Sequence, residues 1–520
     1  MKTLFINGII FQINGQHFNS IGFDSKTKKI IYSGNTPDLK IYDSILDLNG
    51  KLVLPAFTDA HVHLYKGSQV NSEIDLRNAS CFEDIQNAFN NYDHHNKTWI
   101  SGGYFAESNF NANFKIDKSI LDKLSPDVPV ILSRFDHHSG IANTKALELS
   151  EIAQHQNNFN SSELIMEHGL LTGEVKERAF YFILDKMPQK TLKEKASDLR
   201  KLIKEMHSAG ITSVGDITLP DDLDVYEECL KEGDIDLNIN CILPFEEFKN
   251  IDSYKKRFEK FPELRFGCFK AFYDGSLSSK TAYYFDNYIG TDSNGIRTEI
   301  VNSGRFEELA LQIDKAGYQM AVHAIGDKAV SELLDLNEKL NIINGKRDRR
   351  FRIEHAQHIH PDDIQRFKEL NVIASVQPAH LFSDAATSTK LLTHSEREHS
   401  YRRIINIDGK LILGTDYPIV DYSPFKTIYY AVTRKGAGFE NGFHNENRLN
   451  VEECIEAYTT NNAYAIYEET SRGLLNEGYF ADMIVLRNNI FDSDENEIQN
   501  LKVDMTVRNG NLIFEQINTP

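Results

Sequence analysis

At 520 residues the chain exceeds one ordinary compact domain and suits a large barrel with a companion domain, and its 41% hydrophobic and 26% charged residues can fill a sizeable core. Its 57 basic and 76 acidic residues leave a formal charge of −19, which argues against a nucleic-acid partner, whose phosphates need a basic face. Five scattered cysteines (Cys81, Cys229, Cys241, Cys268, Cys454) with no C-x-x-C pair argue against a disulfide framework and fit a reducing cytoplasm; no run approaches the ~20 apolar residues of a membrane span.

The amino-terminal run MKTLFINGIIFQING is interrupted by Asn7-Gly8, and no small-residue cleavage site follows it. It reads as strands around a turn. Further short apolar runs separated by Asn, Gly, Asp and Ser extend this β pattern to about residue 50, and the same pattern returns from about 471 to 520 in GLLNEGYFADMIVLR and VDMTVRNGNLIFE. Chain ends commonly lie near one another, so the two β-rich ends are expected to assemble one small sandwich.

Between them, residues 51–470 alternate short apolar runs with longer amphipathic segments, the βα rhythm of a parallel sheet. Eight runs read as buried strands: 51–63, 210–216, 237–243, 264–274, 318–327, 351–356, 371–378 and 410–418. Helical segments at 193–208, 304–316, 327–340, 362–370 and 451–467 lie between or after them. Eight βα units close a (β/α)8 TIM barrel, and the α/β fold class follows. The stretch from about 66 to 205 is too long for one loop. It reads as an insertion after the first strand, lying over the barrel mouth.

Six of the eight strands end in a residue able to bind metal or move a proton, and in a barrel those carboxyl ends form the mouth. In Asp59-Ala60-His61-Val62-His63 the alternation of a strand sends His61 and His63 to one side, where both imidazoles can reach one ion. His323 ends AVHAIGD and His355 ends RIEH, positions where an unpartnered imidazole is disfavoured by burial. Asp416 in LILGTDYP must be paired, coordinated or protonated, and beside an activated water it can act as a base. Lys270, inside CFKAFYD, has two readings of equal weight: a neutral amine that reacts with carbon dioxide to give a carbamate, or an ammonium paired with Asp274 or a substrate anion. Neutral histidines and carboxylates suit zinc, iron or manganese, and zinc is the expected metal, as one ion or two.

The ordered segments LVLPAFTDAHVHL, WISGGYFAESNF, PVILSRFDHHSGIANTKAL, LTGEVKE, GITSVGD, FKAFYDGSLSSKTA, AVHAIGDKAV, RIEHAQ, ASVQPAH, GTDYP and GLLNEGYFADMIVL span nearly the whole chain. They resemble the amidohydrolase superfamily, in its family 3 branch, which holds the YtcJ-like and N-substituted formamide deformylase-like proteins. The resemblance implies that His61 and His63 are the first-strand ligands, and that Lys270 is the fourth-strand lysine, which in many members is carboxylated. It further makes His323 and His355 the fifth- and sixth-strand ligands and Asp416 the eighth-strand aspartate that touches metal and shuttles the proton. On the substrate side it places His138; Gln377 and, from the inserted region, Trp99 are further candidate substrate contacts. Ala56, His137 and Thr415 depart from common Gly, Gly and Ser, and none removes a ligand. Trp99, Tyr104, Phe105 and Phe110 have two readings, an apolar lid over the mouth or the core of the insertion.

The expected activity is hydrolysis of a carbon–nitrogen bond in a small, non-peptide amide or formamide, with Asp416 moving the proton. Neither nucleic acid nor a membrane is an expected partner, and self-association is expected to give a homodimer. The rivals are another reaction at the same metal site (isomerase, decarboxylase or ester hydrolase) and a non-catalytic assembly protein built on the barrel.

Overall fold

The computed structural model describes residues 1–13, 15, 17–77, 79–92, 98–105, 107–110, 114–134, 138–231, 233 and 235–516. They form two compact units, one of Met1–Leu64 with Ile203–Pro520 and one of Tyr65–Leu202.

The first unit is built around an eight-stranded parallel sheet whose strands lie in chain order: β1 (Phe57–Val62), β2 (Ile211–Ile217), β3 (Asn238–Pro244), β4 (Leu264–Phe272), β5 (Gln319–Ala324), β6 (Arg352–His355), β7 (Ile373–Val376) and β8 (Lys410–Leu413). The sheet closes on itself just past β8. Val62 bridges Tyr417 in parallel, Asp416 N–H donates to the His61 carbonyl at 2.7 Å, and His63 N–H to the Tyr417 carbonyl at 2.8 Å. The result is a (β/α)8 barrel. Every residue of β2, β5, β6 and β7 is buried, the pattern of a parallel sheet covered on both faces.

Helices flank the strands for reasons visible in their spacing. Arg305–Lys315 buries Phe306, Leu309, Ala310 and Ile313, one apolar stripe at helical period. Val451–Tyr458 begins at a reciprocal cap: Asn450 Oδ1 accepts from Glu453 N–H, and the Glu453 carboxylate accepts from Asn450 N–H, both at 2.8 Å.

Two expectations are refined. The run 51–63 is two strands in different sheets, Leu52–Pro55 and Phe57–Val62. The Ala56 N–H still reaches the Asp482 carbonyl at 3.1 Å, continuing the ladder with Met483–Leu486, whereas the Phe57 N–H goes to the Gly210 carbonyl at 3.0 Å beside β2, so the chain changes sheets between them. The segment 451–467 is two helices, Val451–Tyr458 and Thr460–Ala465, broken at Thr459.

Strands from both ends of the chain make two further sheets. Lys29–Gly34, Ser20–Asp24, Lys2–Ile6 and Ser44–Asp47 form one, in that order; Ile9–Ile10, Leu52–Pro55, Met483–Leu486, Val503–Arg508 and Asn511–Glu515 form the other. Phe5, Ile21, Phe23, Val53, Met483 and Val507 share a single apolar cluster between them.

The second unit carries a six-stranded sheet with its own cores, one around Ile85, Phe89, Phe105 and Leu132, the other around Ile131, Val175 and Phe180. Among the described residues no helix is long and apolar enough to cross a membrane.

Candidate metal centre

The barrel gathers side chains that lie hundreds of residues apart in the chain. His61 on β1, His355 closing β6 and Asp416 after β8 each place one ligand atom within 4.8 Å of the others. The His61 and His355 rings are 5.3 Å apart and those of His323 and His355 4.5 Å, while His63 stands 5.9 Å from His61. The Asp416 carboxylate lies at the middle of the set: Oδ1 is 3.5 Å from His61 Nε2 and 3.3 Å from His63 Nε2. His355, Ala356 and Asp416 all have left-handed backbone, at φ 69°, 41° and 64°. For residues other than glycine this costs about 1–3 kcal/mol each, and such strain collects where surrounding structure holds a site in place.

Hydrogen bonds at the backs of the rings decide which nitrogens face inward. His61 Nδ1 donates to Glu354 Oε2 at 2.6 Å, so its Nε2 keeps a bare lone pair toward Asp416. His323 Nε2 donates to the Gly275 carbonyl at 3.0 Å, which leaves Nδ1 as the lone-pair nitrogen; that atom is buried and has no hydrogen-bond partner. Lys270 Nζ is likewise buried without one. Two orphaned nitrogens beside a cluster of imidazoles are costly in an apolar interior, and a cation or a carbamate in their midst removes that cost. The residues fit a metal.

The electrostatics agree. Burial, reinforced by Lys270, pushes His323 down to about 3 and lowers His61, and burial with the neighbouring His323 lowers His355 well below the ordinary range. All three are neutral, the form that binds metal. Burial acts to raise Asp416, but the His63 hydrogen bond and the nearby His61 and His380 hold it well below the usual carboxylate range. Burial brings Lys270 down to about 8, against the pull of Glu354 and Asp416. Its pairing with Asp274 is not formed. Asp274, two residues past β4, instead accepts backbone N–H groups from Tyr283 (2.8 Å), Ile325 (3.0 Å) and Gly326 (2.8 Å).

Further supporting residues lay outside the expected set. Glu354 accepts not only from His61 but also from Arg352 Nε at 2.8 Å and Ser375 Oγ at 2.8 Å, all buried. Asp59 Oδ1 accepts the N–H of His61 at 3.1 Å and of Thr415 at 3.0 Å, and Oδ2 accepts the Thr415 hydroxyl at 2.6 Å, tying β1 to the end of β8. His380, after β7, brings Nε2 to 3.5 Å from Asp416 Oδ2. The signal for Arg352 and Glu354 is a charged pair two residues apart on the same face of a fully buried strand.

Gln377 is buried at the end of β7, donating to the Ser375 carbonyl at 3.2 Å. His138 belongs to the second unit, is exposed, and bonds the Tyr181 hydroxyl through Nδ1 at 2.9 Å. Trp99 packs, partly buried, against the Phe180 cluster of that unit. Phe105 and Phe110 are core of the insertion, 1% and 8% exposed, and the Tyr104 hydroxyl donates to Glu73. His137 lies outside the described residues.

The sequence profile of the amidohydrolase family matches residues 44–514. The chain is 30% identical to the protein LONG AFTER FAR-RED 3 of Arabidopsis thaliana, over 95% of this chain and 88% of that one. It is 28% identical to the putative amidohydrolase YtcJ of Bacillus subtilis (91% and 90% covered) and 24% identical to the N-substituted formamide deformylase of Arthrobacter pascens (91% and 90%). Its fold matches an uncharacterized metal-dependent hydrolase of Pyrococcus furiosus with a TM-score of 0.72 at 26% identity, over 94% of this chain and 99% of that one. Profile, relatives and barrel agree along almost the full length: the chain belongs to the amidohydrolase family, in its family 3 branch, and is a metal-dependent hydrolase.

Proposed function

We propose that the protein hydrolyses the carbon–nitrogen bond of a small non-peptide amide or formamide. The observation that carries this reading is the placement of one buried, ionised carboxylate, Asp416, against His61, His63 and His380 at the barrel mouth. His61, His355 and Asp416 would hold the cation, with His63, Lys270 and His323 in reach, and zinc is the metal this nitrogen and oxygen set suits best. When bound, a divalent cation lowers the pKa of water and polarises a carbonyl.

The chain's own groups do the rest. Asp416 takes the proton of the attacking water on a carboxylate oxygen and returns it to the leaving nitrogen. His380 steadies the Oδ2 side of that carboxylate. Glu354 and Gly275 keep the donor hydrogens of His61 and His323 turned away from the site. Lys270, buried and without a hydrogen-bond partner, is read as the carboxylated lysine, its carbamate oxygens completing the ligand set. The five cysteines are all free thiols, in keeping with a cytoplasmic home.

The test is Asp416→Asn. Zinc content should persist while kcat falls by roughly 10²–10⁴ across formamides and linear amides, the range for loss of a general base. Near-normal turnover would remove Asp416 as base. A wild-type enzyme active on esters alone would remove the amide reading.

A further inference from the structure

Large apolar side chains that stay exposed recur at the carboxyl ends of the barrel strands: Leu219 after β2 (55% exposed), Phe272 closing β4 (46%), Phe382 after β7 (54%) and Ile419 after β8 (64%). Phe272 is the most informative. It lies two residues beyond Lys270 on one strand and therefore shares its face, yet Lys270 is 4% exposed. Its neighbours Phe269 and Ala271 are buried at 0% and 4%, so packing the sheet does not require this ring to reach solvent. The ring centroid is 5.0 Å from Lys270 Nζ and 5.1 Å from the His323 ring. Across the barrel, Ile419 is held in the turn that carries Asp416, its N–H donating to the Asp416 carbonyl at 2.9 Å. One apolar side chain thus overlies the β4–β5 ligand positions and another follows the eighth-strand carboxylate.

We infer that Phe272 and Ile419 form an apolar subsite for a hydrophobic substituent, preferably flat, borne one to three atoms from the scissile carbon. This rests on the hydrolase reading of the same centre. A molecule whose carbonyl sits among His323, Lys270 and Asp416 would have its next atoms near the Phe272 ring, and an apolar group there would remove that exposed ring surface from water. A strongly polar or charged substituent gains nothing from either side chain.

The experiment uses the zinc-loaded full chain and two matched probes. Calorimetry compares phenylacetohydroxamic acid with acetohydroxamic acid, which share the metal-seeking group and differ in the aryl arm. Wild type should favour the aryl probe, and Phe272→Ala should weaken it by roughly tenfold, the scale of an aromatic contact with its buried area. Phe272→Tyr should restore it, and the methyl probe should change less than about twofold under either substitution. Ile419→Ser, in a surface turn, should weaken the aryl probe in the same direction. In parallel, KM for N-(2-phenylethyl)formamide and for 3-phenylpropanamide shows whether the apolar group belongs on the nitrogen or the acyl side. Equal binding of both hydroxamates by wild type, or an aryl preference untouched in Phe272→Ala and Ile419→Ser, overturns the subsite. Aryl preference lost in the variants with no amide hydrolysed by wild type leaves the subsite standing and overturns the amide reading instead.

Discussion

Replacing Glu354 with Gln tests how the centre is held together. Three donors converge on that carboxylate: Arg352 Nε on Oε1 at 2.8 Å, and His61 Nδ1 at 2.6 Å with Ser375 Oγ at 2.8 Å on Oε2. Burial alone would raise this carboxyl, but Arg352, the His61 hydrogen bond and Lys270 hold it far below the usual range, so it is an anion. Gln offers one acceptor and one donor group in the same volume. If its amide nitrogen meets His61, the ring must accept at Nδ1 and carry its proton on Nε2, which removes the inward lone pair. If the nitrogen meets Arg352 instead, two donors face each other and a fully buried guanidinium loses its counter-charge. Breaking such a pair costs about 3–5 kcal/mol. For a unit of several hundred residues that is a fall in Tm of roughly 4 °C or more. The other outcome appears in the metal: disturbing a ligand's hydrogen-bond partner typically weakens binding about 10–100-fold. Calorimetric melting, with zinc affinity from chelator competition, reads both. A variant that matched wild type in both would show that the network orients nothing.

Three further outcomes follow from named contacts. A Cβ added at Gly414 would stand 2.6 Å from His61 N and 3.0 Å from Asp59 Oδ1, so Gly414→Ala should cost about 1–3 kcal/mol in urea unfolding and weaken zinc binding, and neither changes if the barrel seam is slack. Burial holds His207 down to about 4, its Nε2 donating to the Asp236 carbonyl at 3.0 Å. Its folded pKa lies below the unfolded 6.5, so stability of about 3 kcal/mol is present above pH 6.5 and is lost as pH falls toward 4. His207→Gln, which keeps the donor, should flatten the fall in urea midpoint between pH 7 and 4.5; an unchanged slope would place the titration elsewhere. Zinc at about one hundred times its Kd should stabilise wild type by about 2.7 kcal/mol, and this gain should shrink strongly in His61→Ala and His355→Ala.

Local pattern carried much of this protein. A parallel barrel strand is buried on both faces, so each appears as an apolar run, and polar residues at the end of such a run have few reasons to be there other than chemistry. That is why His61, His355 and Asp416, whose ligand atoms the barrel brings within 4.8 Å of one another, were legible one strand at a time. The same logic could have singled out Arg352 and Glu354, whose charges interrupt a buried strand. What the chain does not display is which nitrogen of each ring faces inward. The tautomers of His61 and His323 depend on Glu354 and on the Gly275 carbonyl, set 293 and 48 residues away. Nor does it display that Asp59 and Thr415, 356 residues apart, lock the seam between first and last strands. The aromatics of the insertion show the limit most plainly: Phe105 and Phe110 have the composition of a lid but fill a core, while Phe272, at the end of a strand, reaches solvent beside Lys270 and His323. Hydrophobicity and spacing are properties of the chain. Whether a given ring ends against its own unit's core or at the rim of a barrel depends on which surfaces the closed sheet leaves uncovered, and only the assembled fold determines that.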